Sequence, residues 1–165
     1  FEAMHTGHSV YATVHADTAA ETINRLVNPP LSVPANLLRT VNLNVVMFRD
    51  RKRGIRRVLQ VAEFESEKDD AHANVVYRWV PEEDKIVQHN KSSIFFESIS
   101  RNTGMSQIEI ENYIKEKKKI FNFLIKNKIR SLEDFGKIMN AYYRNKPLLL
   151  EAIDKNNIKS ILSIK

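Results

Sequence analysis

Thr6-Gly7-His8-Ser9-Val10-Tyr11-Ala12-Thr13-Val14-His15-Ala16-Asp17 sets polar and titratable side chains into a run whose apolar residues alternate as they do in a β-strand. The spacing predicts a strand over residues 8–16, with Ser9, Tyr11, Thr13 and His15 on one face and Val10, Ala12 and Val14 on the other. Gly7 suits the position just past a helix end, where φ is positive and a Cβ is strained. Downstream, Thr18 and Glu21 form an S/T-x-x-E capping box, which predicts a helix through Ile23 and Leu26 to Asn28. His15 thereby falls at the carboxyl end of a strand and just before a helix N-terminus. In open α/β sheets ligands bind at that place.

The length of 165 residues suffices for one core, or one core with a small satellite. No apolar run approaches the length that spans a bilayer, and no signal peptide is visible. The absence of cysteine excludes disulfides, and the histidines have no second cluster of ligands that would build a structural zinc site. Charge is divided unevenly: residues 1–90 carry 11 Lys and Arg against 12 Asp and Glu, whereas residues 91–165 carry 15 against 8. The basic excess of the second part fits either a nucleic acid or anionic surface, or a set of solvated helix faces.

The organisation changes near residue 90, giving two regions, 1–90 and 91–165. In the first, residues 41–48 have strand composition, 50–54 read as a turn and 55–64 return as a second strand. An acidic loop over 65–70 then precedes a second hairpin, with strands at 74–80 and 85–89 closed by Pro81-Glu82-Glu83-Asp84. Antiparallel strands of this kind extend many parallel sheets. The second region is helical. Ser92 or Ser93 can cap a helix ending near Thr103-Gly104, Ser106 and Glu109 form a capping box, and Ser131 with Asp134 forms another cap. Ile110, Ile114, Phe121, Leu124 and Ile125 are expected on one helix face, and Leu132, Phe135, Ile138, Met139, Tyr142 and Tyr143 on the next, all as core. Lys117 falls inside the first apolar arc, where its stem is expected to snorkel. Pro147 is placed to open a short last helix, with residues 156–165 as a frayed tail.

Gly7-His8, Thr13-Val14-His15-Ala16, the helix that follows, and Asn28-Pro29-Pro30-Leu31-Ser32-Val33-Pro34 together resemble the His box and its continuation in the secretion ATPases of type II secretion, type IV pili and the archaellum, most closely the archaeal branch. Arg56-Arg57-Val58 and Tyr77-Arg78-Trp79-Val80-Pro81 are similar to stretches further along those proteins. The resemblance implies an α/β fold: the carboxyl-terminal part of a RecA-like P-loop ATPase sheet, with an antiparallel extension and a helical appendage. It implies a parent motor that hydrolyses ATP with Mg2+. That motor forms a homo-oligomer, usually a hexamer, and works on a membrane platform protein from the cytoplasmic face of the membrane.

The P-loop itself is not in this sequence: only Gly7, Gly54, Gly104 and Gly136 occur, with no Gly-Lys-Ser or Gly-Lys-Thr. The chain is therefore expected to be a carboxyl-terminal fragment or half of a split site, inactive alone. The resemblance assigns catalytic roles to His15, Thr13 and His8, with His15 as the γ-phosphate sensor; the ordinary reading is a histidine hydrogen-bonded between sheet and helix. His8 lies roughly 23 Å from His15 along a straight strand, so it orients or contacts a neighbour rather than sharing the same atom. Arg49, Arg51, Lys52, Arg53, Arg56 and Arg57 crowd one hairpin with Asp50 as offset. A solvated turn, a subunit interface through Arg56 and Arg57, and a nucleic-acid contact all fit, since adjacent strand residues face opposite ways. No metal site is expected. The competing readings are a non-enzymatic nucleic-acid-binding module, which lacks any recognised signature, and a passive scaffold.

Overall fold

The computed structural model describes residues 1–68 and 70–157. Two compact units divide the chain, Phe1–Gly104 and Met105–Lys165. Among the described residues the fold is mixed α/β, with a four-stranded antiparallel sheet and helices.

The first unit begins with a single helical turn, α1 (Glu2–His5), which ends as Gly7 takes a φ of 85°. Residues 8–16 carry neither helix nor strand, so the strand expected there does not form. The composition is right for one, but a strand exists only with a ladder beside it, and no described residue supplies that ladder. α2 (Ala19–Val27) starts where the capping box puts it, with Thr18 Oγ1 accepting from the Glu21 N–H at 3.0 Å. The Glu21 carboxylate reaches one residue further back than a standard box and accepts from the Asp17 N–H at 2.8 Å. A 3-10 helix over Ala35–Thr40 leads into the sheet.

The sheet is an up-and-down meander of β1 (Asn44–Asp50), β2 (Ile55–Glu67), β3 (Asp70–Val80) and β4 (Lys85–Gln88), in spatial order β1-β2-β3-β4. Both hairpins lie where the turn chemistry places them. The acidic loop does not: β2 runs on to Glu67 and β3 starts at Asp70, because Glu65 faces His72 across the ladder and pairs with it at 2.9 Å. One sheet face buries Val46, Ala62 and Phe64 against Ala19 and Ile23 of α2 and Leu38 of the 3-10 helix. Withdrawing a side chain such as Phe64 from water contributes about 2–3 kcal/mol. α3 (Phe95–Thr103) completes the unit and ends at Gly104 with φ 72°.

The second unit packs α4 (Gln107–Lys126), α5 (Leu132–Arg144) and α6 (Lys146–Asp154) around Ile120, Phe123, Leu124, Ile138, Ala141, Tyr142, Leu149, Ala152 and Ile153. The Ser106–Glu109 box and the Ser131 cap form as expected, and Pro147 stands in the first turn of α6. The buried face of α4 is rotated from the expected one: Ile114, Phe121 and Ile125 are exposed, while Ile110, Ile120, Phe123 and Leu124 are buried. On α5 Leu132 and Tyr143 are likewise exposed. Two overlapping apolar rows run along α4, and the buried one is that which packs with α5 and α6, while the Lys117 ammonium sits 4.3 Å from the centroid of the Tyr113 ring. Of the expected tail, residues 158–165 lie outside the described residues.

Candidate functional site

His15 is exposed, three residues before the Thr18 cap, and its imidazole makes no hydrogen bond among the described residues. Thr13 is exposed as well. His8 is tied to the end of α1 instead: its N–H donates to the Ala3 carbonyl at 3.0 Å, and its Nδ1 lies 3.0 Å from Thr6 Oγ1. No contact joins His8, Thr13 and His15. The junction that carries His15 is nonetheless firmly placed from its carboxyl side, because Ala19 and Ile23 are buried and the Ala19 N–H donates to Gln60 Oε1 of β2 at 3.0 Å.

That last contact bears on anion binding. A helix N-terminus attracts phosphate through its unpaired N–H groups, but in α2 the Ala19 and Glu21 donors already meet Gln60 and Thr18. Glu21, held below the ordinary carboxylate range by the Asp17 N–H and then by Arg25, adds a negative charge beside them. With those two donors taken and a carboxylate beside them, the end of α2 by itself is a poor fit for a nucleotide phosphate.

Arg57 is committed within the unit. Its guanidinium makes a two-pronged pair with Asp84 in the β3–β4 turn, Nε to Oδ1 and Nη2 to Oδ2 at 2.6 Å each. Trp79 Nε1 donates to the same Oδ1 at 2.9 Å, and the Trp79 ring lies 5.3 Å from that of Phe48. Arg57, then Trp79, hold the Asp84 carboxyl down at about 2, and Asp84 raises the Arg57 pKa in return. Arg56 is exposed and stands directly opposite Arg49 across the ladder, an unfavourable juxtaposition without an anion nearby. Of the two arginines expected at an interface, Arg56 is thus the one presented outward.

A buried carboxylate escaped the reading of local pattern. Glu63 is 1% exposed on β2, and its oxygens accept from the N–H groups of Ser93 (2.8 Å), Phe95 (2.8 Å) and Ile94 (3.2 Å) and from the Ser92 hydroxyl. Burial pushes its pKa up, but the Ser92 hydroxyl and the backbone donors outweigh that and hold it below the ordinary value. Ser92 and Ser93 therefore do not cap α3, as expected of them; they serve Glu63, and Glu63 receives the helix's first donors. Ser93 also bonds Glu65, and Asn74 links the Lys91 carbonyl to the group. The available signal was an acid inside the apolar run Val61-Ala62-Glu63-Phe64. Every lone pair faces a protein donor, so the cluster is a structural anchor. Among the described residues no group of three or more His, Cys, Asp or Glu is arranged to hold a metal ion, and no helix is long and apolar enough to cross a membrane.

No known family model matches the chain. Three proteins of Methanocaldococcus jannaschii, each described as uncharacterized, are similar to it. One is 31% identical over 153 residues, 87% of this chain and 27% of that protein. The others are 29% identical over 147 residues and 28% identical over 146, each alignment taking 86% of this chain and covering 54% and 20% of those proteins. The chain thus spans between a fifth and about half of the relatives' lengths.

Proposed function

We propose that the chain is the carboxyl-terminal part of a RecA-like motor ATPase of the secretion, pilus or archaellum type, in which His15 senses the γ-phosphate of ATP bound with Mg2+ elsewhere in the ring. The observation that carries this reading is the state of residues 8–16: a strand-like sequence without a ladder, delivered to a fixed helix N-terminus with the His15 side chain open to a ligand. Strands from another segment or subunit would pair with it and make the parallel part of the RecA-like sheet, to which the four-stranded meander is the antiparallel extension. The limited coverage of the longer archaeal relatives agrees with a module working inside a larger protein.

The chemistry asked of His15 is modest. An imidazole N–H donating to a phosphate oxygen as charge develops there stabilises the transition state and marks the presence of the group. Thr13, two residues away on the same side of a strand, would line the same ligand, and His8 would act at a neighbouring surface. The parent would be a homo-oligomeric ring, hexameric in this reading, held against a membrane platform protein on the cytoplasmic side.

In the full-length protein, His15→Ala is expected to lower ATP turnover on the order of a hundredfold with ADP affinity nearly unchanged, because ADP lacks the sensed group. His8→Ala should affect turnover less. Unchanged specific activity in His15→Ala, together with lowered stability, would make His15 a packing residue and remove the reading.

A further inference from the structure

Of the two apolar rows on α4, the helical unit uses one. Ile120, Phe123 and Leu124 are buried with α5 and α6. The other row is Ile114, Lys118, Phe121 and Ile125, at steps of four, three and four residues, which keeps all four along one line of the helix. Ile114, Phe121 and Ile125 are 41%, 47% and 74% exposed, and Lys118 is exposed between them. Alternating steps of three and four are the spacing by which one helix packs along another. A row of this kind left open on a folded unit is a binding face.

At its carboxyl end the row opens into a groove of about 280 Å³ between the end of α4 and the start of α5. Phe121, Ile125, Ile129 and Phe135 line it, with the Phe121 and Phe135 rings 6.2 Å apart, and Lys128 and Arg130 complete the lining without a carboxylate. Lys128 has a φ of 56°, in the left-handed region where glycine is the usual residue after a helix. A lysine there accepts backbone strain to keep its side chain on the groove.

Charge says what the face receives. Residues 1–104 carry 13 Lys and Arg against 13 Asp and Glu, whereas residues 105–165 carry 13 against 7, so the whole net charge of +6 belongs to the helical unit. Its carboxylates are taken: Glu116, Glu133, Glu151 and Asp154 each pair with a lysine, and Glu109 closes the box at Ser106. Lys118, Lys128 and Arg130 are exposed and carry no ion pair among the described residues.

We infer that the open row of α4 and the groove at its end dock an acidic amphipathic helix of a partner protein. Apolar residues of that helix, three and four apart, interleave with Ile114, Phe121 and Ile125, and its flanking Asp or Glu side chains meet Lys118, Lys128 and Arg130. A second copy of this unit is a poor occupant, because it brings the same lysines and the same positive excess to the row. A nucleic-acid backbone answers the charge but leaves the exposed Phe121 and Ile125 without a partner, and a bilayer surface does not fill a groove between two helices. The inference goes beyond the motor reading and is independent of it; His15 and the nucleotide take no part.

The test uses the full-length protein and a synthetic helix of about three heptads, with Leu at the core positions and Glu at the flanking ones, titrated by calorimetry. This Glu helix is expected to bind about tenfold more tightly than the same helix with Lys in place of Glu, and Lys118→Glu/Lys128→Glu should reverse the preference. Ile125→Asp should weaken binding about tenfold or more with circular dichroism unchanged, because the side chain it replaces is exposed. Lys128→Gly separates docking from folding: thermal stability should hold or rise as the left-handed backbone is relieved, while the Glu helix binds about threefold less tightly. Equal affinity for the two helices, or full binding by Ile125→Asp, would overturn the inference. So would protection of Ile125→Cys from maleimide in the full-length protein without any helix added, read by peptide mass, since another part of that protein would then cover the row. Tighter binding of phosphatidylglycerol vesicles or of poly(U) RNA than of the Glu helix, abolished by Lys118→Glu/Lys128→Glu, would assign the face to a membrane or to RNA instead.

Discussion

At the scale of single residues Glu63 carries the largest energetic stake, because three backbone donors and a hydroxyl converge on a side chain closed to solvent. Glu63→Ala leaves those donors buried without acceptors and is expected to cost about 3 kcal/mol in chemical denaturation at neutral pH. Glu63→Gln should also destabilise, since its NH2 must face N–H groups. The wild type should be acid-sensitive in a defined sense. The native carboxyl titrates below its unfolded value, so its contribution is full above about pH 4.3, the ordinary carboxylate range, and is lost as pH falls through the lower native pKa. The Gln variant should lack that part of the pH profile; an unchanged profile between pH 5 and pH 3 would show that Glu63 is not the titrating anchor. None of this follows from local sequence, because the serines that look like helix caps are some thirty residues from the acid they serve.

At the scale of elements, the signals acting over three or four residues were readable and the signals needing a distant partner were not. Thr18, Ser106 and Ser131 cap the helices they precede, Gly7 and Gly104 take positive φ after helices, and both hairpins turn where Asp50–Gly54 and Pro81–Asp84 place them. The strand expected over residues 8–16 failed for want of a ladder, and the buried face of α4 is not legible locally because its apolar residues permit two stripes and packing with α5 and α6 decides between them. His15 was legible as a candidate from its place before a cap, whereas the commitment of Arg57 to Asp84 depends on one hairpin turn meeting another strand. That bond can be followed optically, since Trp79 is the chain's one tryptophan. Asp84→Asn removes the charge that Arg57 grips, and is expected to shift Trp79 emission and raise its accessibility to quenchers while far-UV circular dichroism stays unchanged. An unaltered emission spectrum would mean that the indole is placed by Phe48 and the backbone alone.

At the scale of the whole molecule, each unit has its own apolar centre. In the helical unit Leu149 is fully buried, and Leu149→Ala is expected to destabilise that unit by about 2–5 kcal/mol, read as lost helical signal at lower denaturant. A shift near zero would mean that the site collapses around the smaller side chain. The first unit depends on β2 in another manner. Gln60 on this strand holds the first donor of α2, Glu63 holds the first donors of α3, and Arg57 holds the β3–β4 turn, with ladder irregularities between Val46 and Met47 and between Val61 and Ala62 adjusting the register. A slip of one residue along a strand sends every later side chain to the other face. The stretch from Arg57 to Glu63 should therefore accept almost no change in length. Among descendants of this sequence, gained or lost codons are to be sought in the turns, and a deletion inside β2 would release two helices and a hairpin at one stroke.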